Sequence, residues 1–396
     1  MDGREPERFP RAQRRLDPDP LRREEPARGA AALLSPLPAE IETPGNLCES
    51  SSLYAAGVVP GGKVGKQRFV TLDGLRGLAA LAVLLHHAVP KLMPGHVLLP
   101  AGYLSVDFFF LLSGFVISAV YEMRFPKGLG SFVRTRLVRL VPTMWCGILL
   151  GALLASWRGM DLVELRLSAA LLFIPLVFGN FGLFALNGVQ WSLYFELVAN
   201  YVHGLLIWRM PTYWIAVIAL CAYASLGLLS DHFGSMAFGD RDANFAAGYA
   251  RVAASYLGGV LVFRSWQQGR LLDLSGLNPF LLFALVMAIS CWFGPKFDFA
   301  AVLVWPLVLI AGIQHQTRFE ALCAFGGAVS FPLYAVHLPI VDGTLLALGT
   351  GASQAAFACV CALGVAMLPM QLKRLRSRLA AAGPVTSAAA GQPLTR

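Results

Sequence analysis

The stretch TLDGLRGLAALAVLLHHAV, residues 71–89, decides how this chain is read. Apart from Thr71, Asp73, Arg76, His86 and His87 it is built of Leu, Ala, Gly and Val, the composition of a helix inside a lipid bilayer. An Arg or Asp at mid-membrane costs about 2.5–3.5 kcal/mol on insertion scales. Ionisable groups there therefore pair, face a wet cavity or take part in chemistry. Arg76 and His87 are eleven residues apart, about three helical turns, so they share one face about 16 Å apart along the axis. One helix edge thus offers a cation toward one membrane surface and an imidazole toward the other.

Composition extends this reading to the whole chain. Of 396 residues, 56% are hydrophobic and 14% charged, with a mean hydropathy of +0.61, whereas a soluble domain carries about 25% charged residues. Apolar segments fall at about 71–89, 99–120, 141–156, 191–208, 212–230, 246–264, 277–294, 298–313, 325–347 and 353–371. An eleventh, 168–187, is interrupted by Pro175, Gly179, Asn180 and Gly182 and reads as re-entrant or interfacial. The connection holding Arg124, Lys127, Arg134, Arg136 and Arg139, and the end holding Lys373, Arg374, Arg376 and Arg378, both belong on the cytoplasmic side by the positive-inside rule. An even number of crossings with the N-terminus inside satisfies both. The expected fold is all-α: a polytopic integral membrane bundle of about ten transmembrane helices, with both termini cytoplasmic.

The first 67 residues differ in kind, with nine prolines, ten basic and ten acidic residues, and read as a disordered tail. Their balanced charge argues against a nucleic-acid partner, and no signal-peptide pattern is present. The transmembrane domain is assigned to 68–372 and a cytoplasmic C-terminal tail to 373–396. The seven cysteines lie mostly isolated in apolar segments, and Cys359-x-Cys361 has neither zinc nor redox spacing. Neither a disulfide framework nor a metal site is expected.

Four further segments carry polar residues at defined places. GYLSVDFFFLLSGF, residues 102–115, enters the second span and brings Asp107 to the level of His87. FVRTRLVRLVP, residues 132–142, is a basic run at the inner surface; WSLYFE, residues 191–196, opens the fourth span; SFPLYAVHLP, residues 330–339, breaks the ninth near its middle.

These five segments in this order resemble membrane-bound acyltransferase family three, whose members O-acylate bacterial surface sugars, lipids and antibiotics. Arg76 and His87 follow the family's Arg-x10-His pattern, and Asp107 with Ser113-Gly114-Phe115 its Val-Asp and Ser-Gly-Phe pattern. Arg136, Arg139 and Pro142 fit its basic run, Trp191-Ser192-Leu193 with Glu196 its Trp-Ser-Leu-x-x-Glu element, and Ser330, Tyr334 and His337 its late Ser-x-x-x-Tyr-x-x-His signature. The resemblance covers about Arg68 to Leu372, and no appended extracytoplasmic esterase-like domain is expected.

The resemblance implies transfer of an acyl group from cytoplasmic acyl-CoA, usually acetyl-CoA, to a hydroxyl of an extracytoplasmic saccharide or lipid-linked glycan, in the bacterial inner membrane among its lipids. Guanidinium groups recognise phosphates through paired hydrogen bonds, so Arg76, Arg136 and Arg139 are the donor-binding candidates. His87 is the catalytic imidazole, either deprotonating the acceptor hydroxyl or accepting the acyl group covalently. Asp107 or Glu196 would orient it, as a carboxylate does in a catalytic triad. Trp191, Ser192, Tyr334 and His337 are the candidate substrate contacts.

Each assignment has a structural rival. Arg76 pairs with Asp73 or snorkels; Asp107 and Glu196 bond between helices; Arg134, Arg136 and Arg139 set topology and anchor anionic lipid; Tyr334 and His337 brace a proline-broken span. His86 lies about 100° around the helix from His87 and reads as a packing or hydrogen-bonded histidine; His96, His203, His232 and His315 read as structural. No Gly-x-Ser-x-Gly elbow, His-Glu-x-x-His or Walker loop is present. The alternatives from other classes are a transporter of lipid-linked sugars or small solutes, which would favour internal repeats, and an inactive membrane scaffold.

Overall fold

The computed structural model describes residues 54–59, 63–122, 128–176 and 182–381. The tail assigned to 1–67 therefore lies outside the described residues except for 54–59 and 63–67. There the chain forms a two-stranded antiparallel hairpin, β1 Tyr54–Val59 with β2 Lys63–Arg68, in register Tyr54 to Arg68.

Among the described residues eleven α-helices follow: α1 Val70–Leu92, α2 Ser105–Tyr121, α3 Leu129–Trp157, α4 Val163–Leu171, α5 Gln190–Leu205, α6 Thr212–Phe233, α7 Phe245–Gln267, α8 Pro279–Phe293, α9 Asp298–Gln314, α10 Glu320–Leu348 and α11 Ala352–Ala381. All but α4 match one of the ten apolar segments. The nine-residue α4 is about 14 Å long, half a bilayer core, and among the described residues no membrane-length helix falls within 168–187. Among the described residues, eight helical stretches are long and apolar enough to span a membrane. One of them, Pro279–Gln314, contains both α8 and α9, folded back on each other at Gly294, whose φ of 68° suits glycine. The sixteen-residue α5 is not among these stretches. The last helix runs unbroken through Lys373–Arg378 instead of ending at 372.

Side-chain contacts fix the direction of the helices. Thr71 Oγ1 at the start of α1 donates to His315 O beyond α9, while Lys91 near the end of α1 pairs with Asp342 late in α10. Helices α1 and α10 are thus parallel. So are α2 and α7, joined by Asp107–Arg251, whereas α6 and α7 are antiparallel, joined by Arg264 and Thr212. This alternation gathers Arg76, Arg136, Arg264 and the basic end of α11 at one end of the bundle, and Lys91, Tyr103, Asp298 and Asp342 at the other.

Two backbone features set the interior. Where α1 meets α10, a Cβ on Gly77 would lie 2.7 Å from Gly326 Cα, so only glycine lets the helices approach this closely. In α10, Pro339 has no N–H and leaves the Ala335 carbonyl without its intrahelical donor; Asn187 Nδ2 donates to that oxygen at 2.8 Å. The irregular chain before α5 is thereby pinned to the broken part of α10.

With ten crossings from an internal N-terminus, reporter fusions after Ser230 and after Arg378 are expected on opposite sides, extracytoplasmic and cytoplasmic respectively. Fusions reporting the same side would contradict the ten-helix topology.

Candidate active site

Six of the sequence candidates line one cavity between α1, α2, α3, α5 and α10: Arg76, Arg136, Arg139, Ser192, Glu196 and Tyr334. It encloses about 810 Å³ of open space, mouth included. Along α2 it runs from Val116 to Val106, a rise of about 15 Å. The basic side chains stand at the end shared with Arg264, and the hydroxyls of Ser192 and Tyr334 close the deep end.

The basic part is held by one carboxylate. Glu196 Oε1 accepts from Ser113 Oγ at 3.0 Å and from Arg136 Nη2 at 3.3 Å. Arg76 Nη1 lies 3.8 Å from Asp73 Oδ1, an ion pair too long for a hydrogen bond. The Asp73 reading of Arg76 and the cavity reading are therefore both realised. Arg76 Nη1 and Arg136 Nε are buried with no hydrogen-bond acceptor among the described residues. A buried N–H left unpaired on a charged group costs more than a neutral one, and an anion in the cavity would meet both. Arg139 is half-buried on the cavity wall, whereas Arg134 is exposed.

At the deep end Ser192 Oγ donates to the Val189 carbonyl at 3.1 Å, which leaves it the acceptor in its 2.6 Å bond with Tyr334 OH. That bond ties α5 to α10. One turn beyond Tyr334, the His337 ring stacks on His87, with centroids 5.4 Å apart and planes 23° from parallel. His337 Nδ1 lies 2.9 Å from the Tyr334 carbonyl; a carbonyl only accepts, so the proton is on Nδ1. His337 is fully buried and its Nε2 has no hydrogen-bond partner among the described residues. On the other side of His87 lies His86, 5.0 Å away, whose Nδ1 donates to Leu99 O at 3.2 Å, the hydrogen-bonded histidine expected from its angular offset.

Among the described residues neither expected carboxylate touches the His87 imidazole. Glu196 belongs to the basic cavity. Asp107 accepts two bonds from Arg251, 2.9 Å from Nε and 2.7 Å from Nη2, with both residues fully buried. Arg251 also donates to Phe238 O and Tyr103 O. Its guanidinium lies 5.3 Å from the Trp191 ring centroid, so Trp191 packs on this ion pair and is not part of the cavity wall. Beside it Tyr103 OH donates to Asp298, which also accepts from Met236 N at 2.9 Å. Asp107 and Trp191 thus join a clamp uniting α2, α5, α7 and the 236–240 loop. Arg251 had a sequence signal: it is the one charge within an otherwise apolar stretch of α7, opposite in sign to the lone Asp107 of α2. His203, read as structural, sits in a buried network with Tyr256 OH at 3.0 Å and Glu122 at 3.4 Å.

With this geometry in place, comparison with known proteins identifies the family. The sequence model Acyl_transf_3, described as an acyltransferase domain, matches residues 69–370, and the chain belongs to this family. It is an acyltransferase and an integral membrane protein. The chain is similar to the exopolysaccharide production protein ExoZ of Rhizobium meliloti (strain 1021), 27% identical over an alignment of 331 residues, with 78% of this chain and 99% of ExoZ covered. It is 35% identical over 163 residues to protein 2 in the picA locus of Rhizobium radiobacter, spanning 35% of this chain and 82% of that protein. It is 36% identical over 85 residues to the putative membrane-bound transacylase BcsY of Komagataeibacter xylinus, 22% of this chain and 20% of that one. No solved structure matches significantly.

Because removing one partner leaves the other charge buried and unpaired, Arg251→Ala and Asp107→Asn are each expected to destabilise the protein by about 3–5 kcal/mol. The double variant should be little worse than either single one. Thermal midpoints of detergent-purified protein measure this, and fully additive losses would show that the two residues do not act as a unit.

Proposed function

We propose that this acyltransferase moves an acyl group, acetyl in the simplest case, from a cytoplasmic coenzyme A thioester to a hydroxyl of an extracytoplasmic polysaccharide or lipid-linked glycan. In this reading it lies in the bacterial inner membrane with both termini cytoplasmic. The observation that carries it is the pair of unpartnered guanidinium donors, Arg76 Nη1 and Arg136 Nε, in a cavity that leads from the basic end of the bundle toward His87. Coenzyme A carries several phosphate charges, and charge-assisted bonds to phosphate are among the strong ones. Phosphates at the arginines would leave the flexible pantetheine arm to run inward along Phe109 and Leu112. The acceptor is proposed by analogy with the exopolysaccharide named for ExoZ.

For the chemical step, the acceptor O–H gives its proton to His87, the oxygen forms a bond to the thioester carbonyl carbon, and the C–S bond breaks. The leaving thiolate takes up the proton that His87 held. No carboxylate is assigned to His87. Its ring is held by the stacked His337, itself fixed by the Nδ1–H bond to the Tyr334 carbonyl. The stacked ring fixes the plane of the His87 imidazole, so His337 serves here as a positioning residue for it. Tyr334 and Ser192 close the passage between the donor cavity and this histidine pair, and the acyl group reaches His87 when their hydrogen bond opens. Glu196 with Ser113 sets the angle of Arg136 in the donor cavity.

Three outcomes test the reading. Arg76→Ala should weaken binding of radiolabelled acetyl-CoA to purified protein about tenfold or more, since a hydrogen bond to a charged group is worth roughly 1.5–3 kcal/mol; unchanged affinity would remove Arg76 from the donor site. His87→Ala, at normal abundance in membranes, should lose transfer by about 10²–10⁴-fold, while His86→Ala keeps a substantial fraction; wild-type transfer by the first variant would sink the mechanism. His337→Ala should lower kcat about tenfold with KM unchanged, and His337→Phe, which keeps a ring to stack, should recover most of it. If the phenylalanine variant is as slow as the alanine one, His337 handles a proton itself and does not merely hold the ring.

A further inference from the structure

A second cavity lies away from this machinery, on the flank where α6, α7 and α9 meet. Its walls are apolar, from Leu261 and Val262 of α7 to Leu303, Pro306 and Ile310 of α9, and it encloses about 770 Å³ of open space, mouth included. Along α7 it runs from Gly258 to Ser265, a rise of about 10 Å, or about two thirds of one leaflet of a hydrocarbon core about 30 Å thick. Its deep end is closed by Tyr223, whose hydroxyl is buried without a hydrogen-bond partner among the described residues. Its outer end opens beside Ser265 and Arg270, at the basic end of the bundle.

The charge at that mouth is uncompensated. Arg270 Nη1 donates to the neutral Gln268 Oε1 at 3.2 Å, and among the described residues no carboxylate lies within ion-pair distance of it. Arg264 nearby is already engaged, by the carbonyls of Met210 and Ile207 and by Glu122. The loop carrying Arg270 is fixed in place: Gln314 at the end of α9 accepts from Leu274 N at 2.7 Å and donates to Leu272 O at 2.8 Å. Mouth and groove are therefore preformed, a cation above an apolar slot one chain deep.

We propose that this groove binds one anionic phospholipid of the leaflet at the basic end, with an acyl chain along α7 and α9 and its phosphate on Arg270. The chain alone cannot give preference, because lipid tails are as apolar as the leucines they would touch. Selection must come from the headgroup. A zwitterionic lipid brings an ammonium that offsets its phosphate, whereas an anionic one leaves the full attraction to Arg270 in place.

Photolabelling of the full-length protein in phosphatidylcholine nanodiscs tests this, using phosphatidylglycerol or phosphatidylethanolamine that bears the same diazirine-containing chain. In the wild type, phosphatidylglycerol should label the α7 and α9 groove peptides about fivefold more than phosphatidylethanolamine, the effect of one interfacial arginine. Arg270→Gln, an exposed change, should bring that ratio to about one, and Leu303→Trp, which fills the slot, should lower labelling by both lipids. Equal labelling of the wild type by the two lipids would overturn the proposal, as would a ratio that survives Arg270→Gln. Millimolar inorganic phosphate should leave the ratio unchanged; if phosphate abolishes it, Arg270 reads a free anion and the lipid assignment fails. Acetyl-CoA binding does not enter this measurement, so its outcome is separate from that of the catalytic reading.

Discussion

The close approach of α1 and α10 is the constraint from which the site follows. Gly77 and Gly326 bring the two backbones together at one end, and Lys91 with Asp342 joins them at the other. Being parallel, the helices keep their register between those points. His87 therefore meets His337, while Arg76 and Tyr334 face the same cavity. A larger residue at Gly77 would push the helices apart and loosen every one of these contacts at once. The prolines of α10 act with this seam: Pro339 frees a carbonyl that Asn187 binds, drawing the chain before α5, and with it Ser192, against Tyr334.

Buried charges divide into two groups by whether the protein itself satisfies them. Arg251 has a bidentate carboxylate, two carbonyls and an aromatic face, and nothing about it calls for a ligand. Arg76 and Arg136 each have one acidic partner, Asp73 and Glu196 respectively, at longer range, and keep N–H groups unpaired among the described residues. In a low-dielectric interior the first arrangement is a structural brace. The second leaves buried guanidinium N–H groups unpaired among the described residues, at a cost in stability. The distinction separates residues that sequence motifs group together, since Asp107 and Trp191 fall with the brace and Glu196 and Ser192 with the cavity.

Much of this was legible in the sequence. Apolar runs give ten of the helices, and the eleven-residue spacing places Arg76 and His87 on one face. The basic cavity was legible as well, because arginines inside apolar runs need a reason to be there. What the sequence could not give was the partner of each charge. Asp107 looked as near to His87 as to anything else until the parallel packing of α2 on α7 set Arg251 beside it. His337 as a stacking partner depends on the register of α1 against α10, which rests on two glycines with no spacing rule between them. The hairpin at 54–68 carried no alternation strong enough to predict it.

The central proposal is that Arg76 and Arg136 form a phosphate site in the donor cavity. Calorimetric titration of the purified protein with coenzyme A and, separately, with pantetheine, which has the same thiol arm and no phosphate, tests this most directly. The account predicts measurable binding of coenzyme A and at least about a hundredfold weaker binding of pantetheine, the loss expected when two or more charge-assisted bonds are removed. Equal affinity for the two would contradict it.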